Sequence, residues 1–407
     1  MTSLESILQA IDASEDDIIE TTLGMIRIPA LAPVNGGDGE SKKADFLQRC
    51  LTGFDEVMRV DVPDASDPTV MRSNILARKV GSKSGTVWVV AHMDVVPAGD
   101  PSLWNNPPFE PVYEDGRIYG RGTEDNGQSI ISSMFASKFF EKGHLNGMSL
   151  GVCYVADEET TSEYGIEYLL DHGYFSEDDV IMVPDWGSPN GSMVEVSEKS
   201  SIWIRVCVEG KTTHGSTPQE GVNAYRVSTR LLCDLMDSFP REFPDEDRMF
   251  MPAVSTFEPT KRPATVENVN TIPGYDEFCI DCRLLPHYDV DDVLSMTRRI
   301  ASMHEQSSGA NIRVEEIQRH ESGKPSSIGS VGYKALNESI QEVLGESPRA
   351  VGVGGGTCAN FFRLKGFDAY VWQCGGGTLH APNEYVEVQN IIKDAKVFAT
   401  LYYKLCV

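Results

Sequence analysis

Apolar positions along the chain fall into short unbroken runs that alternate with stretches of helical spacing. Residues 86–91, TVWVVA, are β-branched or apolar throughout, the pattern of a strand buried on both faces. Residues 148–156 and 180–184 repeat that pattern, and 73–79 form a further strand, joined to the first by a turn at 81–85. Helical spacing marks residues 5–28, ending at Pro29, then 41–51, 127–142, 333–344 and a last helix from about 389. Buried strands interleaved with helices predict an α/β fold, with a mixed, mostly parallel sheet flanked by helices.

The texture changes near residue 192. Residues 193–197 and 201–209 alternate like half-exposed antiparallel strands, 221–237 and 290–304 are helical, and 271–283 and 311–318 are strand-like. This β-β-α-β-α-β-like order predicts a small α+β sandwich inserted as one unit. A Ser- and Gly-rich stretch at 322–330 reads as the return hinge. The expected domains are therefore 1–191 with 320–407, interrupted by 192–319.

Composition narrows the class. A chain of 407 residues has room for two or three domains and a sizeable core. Its formal charge of -26, from 61 acids against 35 bases, repels nucleic acid and anionic membranes, so neither is an expected partner. No apolar run is long enough to span a bilayer, and residues 1–20 are too acidic for a signal or transit peptide. Nine scattered cysteines without a pair of Cys-x-x-Cys motifs predict reduced thiols and a cytoplasmic protein.

Three apolar runs end in residues that bind metals or move protons. The first ends in His92 and Asp94, two apart and so on one side of an extended chain. An imidazole there can ligate a metal with a carboxylate behind it, or can be a core histidine with a satisfied neighbour. The second ends in Asp157, Glu158 and Glu159, the third at Asp185. Glu158 and Glu159 leave in opposite directions, so one can ligate while the other handles a proton; a solvated acidic loop is the alternative. Asp125 closes a Gly-rich loop just before a helix, where it could also be an N-cap. His380 follows a late Gly-rich turn. His92, Asp125, Glu159, Asp185 and His380 make a thiolate-free set that suits zinc, cobalt or manganese. Five ligands exceed one tetrahedral site and fit two if a carboxylate bridges.

HMDVVP from His92, YGRGTEDNGQ from Tyr119, ADEE from Ala156, PDWG from Pro184, HGSTP from His214 and the turn before His380 occur in one order along nearly the whole chain. In that ordered set the chain resembles the di-zinc aminoacylase, carboxypeptidase and desuccinylase metallopeptidases, a family that includes succinyl-diaminopimelate desuccinylase, acetylornithine deacetylase and dipeptidases. The resemblance implies a zinc-exopeptidase-like domain carrying a ferredoxin-like lid and dimerisation insert, in a homodimer. It implies two divalent metal ions, zinc first, with cobalt or manganese as alternatives. His92 and Asp185 would hold one, Glu159 and His380 the other, and Asp125 would bridge. Asp94 would orient His92, and Glu158 would be the general base toward a water activated between the metals. A cis peptide would follow Asp125.

His214 would hold the substrate carbonyl across a dimer interface, though as a bare feature it is an exposed loop histidine. Arg283, Asn270, Gly355, Gly356 and Thr357 would bind a substrate carboxylate, though Arg283 alone reads equally as a surface salt bridge. The implied activity is hydrolysis of amide bonds in small carboxylate-bearing substrates, foremost as an N-acyl amino acid deacylase. A dipeptidase, aminopeptidase or carboxypeptidase is the alternative, and a non-catalytic metal-binding homologue the outside one. Two features depart from or qualify the pattern. Thr160-Thr161 replaces the family's Thr-Gly, and a threonine does not readily take φ > 0. The fourth ligand is Asp185 where the family has Asp or Glu, and Asp leans toward aminopeptidases and dipeptidases, Glu toward deacylases and carboxypeptidases.

Overall fold

The computed structural model describes residues 3–141 and 143–407. The acidic stretch 1–20 and the helix expected at 127–142 reach Met1, Thr2 and Lys142, which lie outside the described residues. The chain forms two compact units, Met1–Val196 with Pro325–Val351 and Thr357–Val407, and Ser197–Lys324 with Gly352–Gly356.

The first unit is built on a six-stranded sheet in the order Glu56–Pro63, Met71–Lys79, Ser149–Val155, Thr86–His92, Val180–Met182, Ala369–Tyr370. The last four are mutually parallel, and the first two add antiparallel. Thr86–His92 and Ser149–Val155 are buried at every residue, as unbroken apolar runs require. Trp88, Val90, Cys153 and Val155 face one layer with helices Ile166–Asp171 and Cys358–Leu364. On the other side, the Tyr154 hydroxyl donates to the Ile130 carbonyl of helix Gln128–Lys138 at 3.0 Å. The Tyr402 hydroxyl, from helix Val388–Cys406, donates to Gly151 at 2.8 Å. Each buried Val-, Leu- or Phe-sized side chain contributes roughly 1.5–3 kcal/mol. Gly151 is required because a Cβ there would lie 2.4 Å from the Trp88 ring. Parallel strands deliver their C-terminal ends to one rim, so His92, Asp157 and Asp185 emerge on the same side.

The second unit has a four-stranded antiparallel sheet in the order Thr256–Lys261, Tyr275–Leu284, Ser200–Glu209, Asn311–His320. Helices Ala224–Glu242 and Val290–Ser308 supply Leu231, Leu235, Val293 and Ile300 to a core with Ile202, Ile204, Val206, Phe278 and Ile280. Strand alternation turns Trp203, Arg205, Asp281 and Arg283 to the opposite face.

Several elements differ from expectation. Residues 5–28 form two helices, Leu4–Asp12 and Glu15–Ile26. At the break the Ser14 hydroxyl donates back to the Ala10 carbonyl at 2.8 Å, competing with the helix ladder. Strand Met193–Glu198 does not join the four-stranded sheet; it pairs with Arg349–Val353. The edge strand Thr256–Lys261 is hidden in the sequence by Pro259, where the register slips, and an edge tolerates that proline. Glu56–Pro63, with an exposed edge, gives a weak apolar signal. No helix among the described residues is long and apolar enough to cross a membrane.

Candidate functional site

His92 is the last residue of its strand, and its Nε2 lies 2.8 Å from Asp125 Oδ1 and 3.3 Å from Asp185 Oδ1. His380 Nε2 lies 3.1 Å from Asp125 Oδ2 and 3.1 Å from Glu159 Oε2. Two groups result, His92–Asp125–Asp185 and Asp125–Glu159–His380, each with one donor atom per residue inside 4.8 Å. Asp125 belongs to both and offers a different carboxylate oxygen to each. The donor set fits two borderline divalent cations sharing one carboxylate. His92, Asp125, Glu159 and Asp185 have side chains 9 % exposed or less, whereas His380 is 56 % exposed, so solvent reaches the cluster from the His380 side.

Crowded carboxylates and imidazoles shift one another. Burial opposes a charge on His92, but Asp185 and Asp125 draw it well above the ordinary value. Burial would raise the Asp125 carboxyl, yet hydrogen bonds from His380 and His92 hold it below the usual range. Asp125 and Glu159 push His380 up to about 10, and burial pushes Glu159 up to about 7. Glu158 belongs to neither donor group. Burial, then the charge of Asp185, holds its carboxyl well above the usual range, with His92, Glu159 and Asp125 as further electrostatic neighbours. The excess of acid in the cluster is what a bound cation would offset.

The surrounding loops explain how these side chains converge. His92 Nδ1 lies 3.0 Å from the Asp94 carbonyl and 3.6 Å from its carboxylate. A carbonyl only accepts, so Nδ1 carries the proton and Nε2 faces Asp125. The Asp94 carboxylate instead receives the backbone N–H groups of Glu158 and Glu159, at 3.1 and 3.0 Å. Asp125 lies in the wide turn Thr123–Gly127, with φ −112°, and the Asp125–Asn126 peptide is cis. Helix Gln128–Lys138 is entered through Gly127, and Asp125 caps nothing. The Asn126 amide donates to the Asp185 carboxylate and, at 3.1 Å, to the Pro184 carbonyl.

Glu384 was not legible as a functional residue. Wholly buried, it accepts the N–H groups of Gly122, Glu124 and Asp125 at 3.0, 2.9 and 3.1 Å and pairs with Arg121 at 2.7 Å. The same Arg121 donates to the His380 carbonyl at 3.1 Å. One ion pair thus ties the Asp125 turn to the His380 loop. Glu124 adds a second tie by accepting from the Thr378 N–H at 2.9 Å and from its hydroxyl. Asp394 anchors the turn before His380 by accepting from Cys374 N at 2.9 Å and Gln128 Nε2 at 2.6 Å. Cys358, one of the nine cysteines, is buried; burial, then Glu158 and Asp185, hold its thiol well above the ordinary range.

The Thr160-Thr161 departure has a local explanation. Positive φ falls on Asp157, at 68°, and Ser162, at 64°, so neither threonine needs it. Both threonine hydroxyls donate to the Asp157 carboxylate, Thr161 at 2.6 Å.

The remaining expected residues lie elsewhere. His214 and Asn270 are exposed neighbours in the second unit, where strand Thr213–His214 pairs with Thr271–Ile272. Arg283 is a salt bridge partner there: Nε and Nη2 donate to the Asp281 carboxylate at 2.7 and 3.0 Å, and Nη1 to the Gly354 carbonyl at 3.0 Å. Gly355 and Gly356 follow in the same unit. Thr357 belongs to the first unit, where its hydroxyl caps helix Cys358–Leu364 by accepting from Ala359 N at 3.1 Å.

A parallel-edge cluster of two imidazoles and three carboxylates defines a metal-dependent hydrolase, and comparison with known proteins agrees. The model of Peptidase family M20/M25/M40 matches residues 88–404, and the chain belongs to that family, whose members are metallohydrolases acting on amide bonds. An "uncharacterized metallohydrolase" of Methanocaldococcus jannaschii is 36% identical over 94% of this chain and 98% of its own. A succinyl-diaminopimelate desuccinylase of Gluconacetobacter diazotrophicus is 26% identical over 94% and 95%. The fold is that of a solved di-peptidase of Saccharomyces cerevisiae, with a TM-score of 0.73, 20% identity and 99% of both chains covered.

Two outcomes follow. Glu384→Gln puts an amide N–H where backbone N–H groups need an acceptor, so affinity for an added divalent cation, measured against a competing chelator, should fall roughly 10–100-fold. Burial raises Asp394 from 3.8 to about 7, so the folded form keeps a proton that the unfolded chain has released in that window. Its contribution to stability therefore falls as pH rises through the window. Urea unfolding should show the wild-type minus Asp394→Asn difference declining from about pH 4 to about pH 7 and level above it; a difference constant in pH would contradict the assignment.

Proposed function

We propose that this metallohydrolase cleaves the amide bond of a small substrate carrying a free carboxylate, foremost as an N-acyl amino acid deacylase of the desuccinylase type. The observation that carries the reading is Asp125 shared between two donor groups, with Glu158 adjacent in the chain to Glu159 and a member of neither. The desuccinylase relative, alignable over nearly the whole chain, supports the substrate class. Dipeptide hydrolysis is the second reading, favoured by Asp185 as a short fourth ligand and by the fold of the yeast di-peptidase.

In this reading His92 and Asp185 would hold one cation and Glu159 and His380 the other, zinc first, with Asp125 contributing to both sets. Bound there, divalent cations supply Lewis acidity and lower the pKa of water. Glu158 takes a proton from the attacking water and passes it to the leaving amine nitrogen as the C–N bond breaks. Asp94 keeps that base in place through the Glu158 N–H. His214 would donate to the substrate carbonyl from a second copy of the chain, and Arg283 would receive the substrate carboxylate by giving up its fork on Asp281. The second unit serves as lid and dimerisation domain; the open sheet edge Asn311–His320, with exposed Ile317, suits pairing between copies. Acidic charge and cysteines left as free thiols support a cytoplasmic setting.

Glu158→Ala should lower kcat about 10²–10⁴-fold while two metal equivalents remain bound; a variant of undiminished activity would remove Glu158 from the role. The zinc-loaded enzyme, offered N-succinyl-L,L-diaminopimelate, N-acetyl amino acids and dipeptides side by side, should prefer the acylated substrates. Preference for dipeptides with a free amine would move it to the second reading, and turnover of neither would refute both.

A further inference from the structure

The buried charge layer behind the two glutamates has no part in the chemistry above. Arg72 is 2 % exposed and lies on strand Met71–Lys79, antiparallel to Ser149–Val155. The register that pairs Ile75 with Tyr154 runs on toward the strand end, and Arg72 meets Asp157 there, with Nη2 3.1 Å from Oδ1. The guanidinium gathers three carboxylates from three separate segments. Nε and Nη2 fork onto Glu40 at 2.9 and 2.7 Å, and Nη1 reaches Asp64 at 3.2 Å. A lysine cannot reproduce that planar fork.

Asp157 is the hub of the loop that presents Glu158 and Glu159. Its carbonyl accepts the N–H groups of Thr161 and Ser162 at 3.2 and 2.7 Å. Its carboxylate accepts both threonine hydroxyls and the Tyr164 N–H at 3.3 Å. Immediately after it, Glu158 and Glu159 give their N–H groups to Asp94. The two glutamates are therefore held between two fixed carboxylates, and Asp157 is tied to the neighbouring sheet strand by the Arg72 guanidinium. From this we propose that Arg72 is a positioning residue for Glu158 and Glu159, acting through Asp157; the inference rests on the roles given above to those two glutamates.

The test compares Asp157→Asn, Arg72→Lys and the milder Thr160→Val/Thr161→Val double variant with wild type. It reads kcat, KM and the rate at which bound zinc passes to a chelator. Asp157→Asn and Arg72→Lys should lower kcat about 10–100-fold, leave KM within about threefold and release one of two zinc equivalents about tenfold faster. The threonine variant should move kcat and zinc release the same way by about two- to fivefold. It keeps every charge and reads whether Asp157 sets the position of the two glutamates; Arg72→Gln, which keeps a hydrogen-bond donor in place of the guanidinium, reads the Arg72 link if Arg72→Lys does not fold. Folded variants with kcat and zinc release within about twofold of wild type, whatever their melting temperature, would overturn the proposal. Should wild type turn over no amide substrate, the catalytic reading fails, while zinc release still judges the part played by Arg72.

Discussion

Everything at the site depends on one carboxylate standing between two imidazoles. Asp125 sends one oxygen toward His92 and the other toward His380, residues 288 positions apart in a chain numbered continuously. Such a group cannot be left to find its place, since a buried carboxylate without partners is costly. Glu384 supplies the constraint by taking the N–H groups of Gly122, Glu124 and Asp125, while Arg121 links it to the His380 carbonyl. The placing of Asp125 between the two donor groups is thus a property of the loops before it is a property of any ligand.

Around that centre the structure places charge in layers. The inner layer is acidic and carries the donor atoms. Behind it are fully buried cations: Lys43, which donates to the Met93 carbonyl at 2.8 Å, and Arg72, which joins Glu40, Asp64 and Asp157. Burial lowers Lys43 to about 8, so it is charged near neutral pH. These cations sit where they steady backbone segments and leave the donor atoms themselves uncovered. Rigidity comes in part from the sheet, since His92, Glu159 and Asp185 follow parallel strands, whereas the Asp125 turn follows Arg117–Tyr119, a strand of a separate antiparallel sheet.

Much of this was legible in the sequence because buried parallel strands write unbroken apolar runs, and chemistry-bearing residues interrupt them at the rim. His92, Glu159 and Asp185 were found in that way. Asp125 and His380 stood out through glycine-rich turns, and the structure brings all five together. What escaped was held by long-range contacts that leave no local pattern. Glu384 follows an ordinary Pro-Asn pair, and its meaning appears only when the turn at Asp125 folds against it. Arg72 opens an unremarkable strand. Arg283 shows the reverse case, with its fork already engaged by Asp281 two residues away. The edge strand Thr256–Lys261 was masked by its own proline.

The central claim is that Asp125 joins two metal positions into one centre. The most direct measurement is the metal content of purified protein equilibrated with zinc and freed of loosely bound ion, for wild type and Asp125→Ala. The account predicts two equivalents per chain for wild type, with both affinities weakened together in the variant. One equivalent in wild type, or a variant that loses a single metal and keeps the other at wild-type affinity, would contradict it.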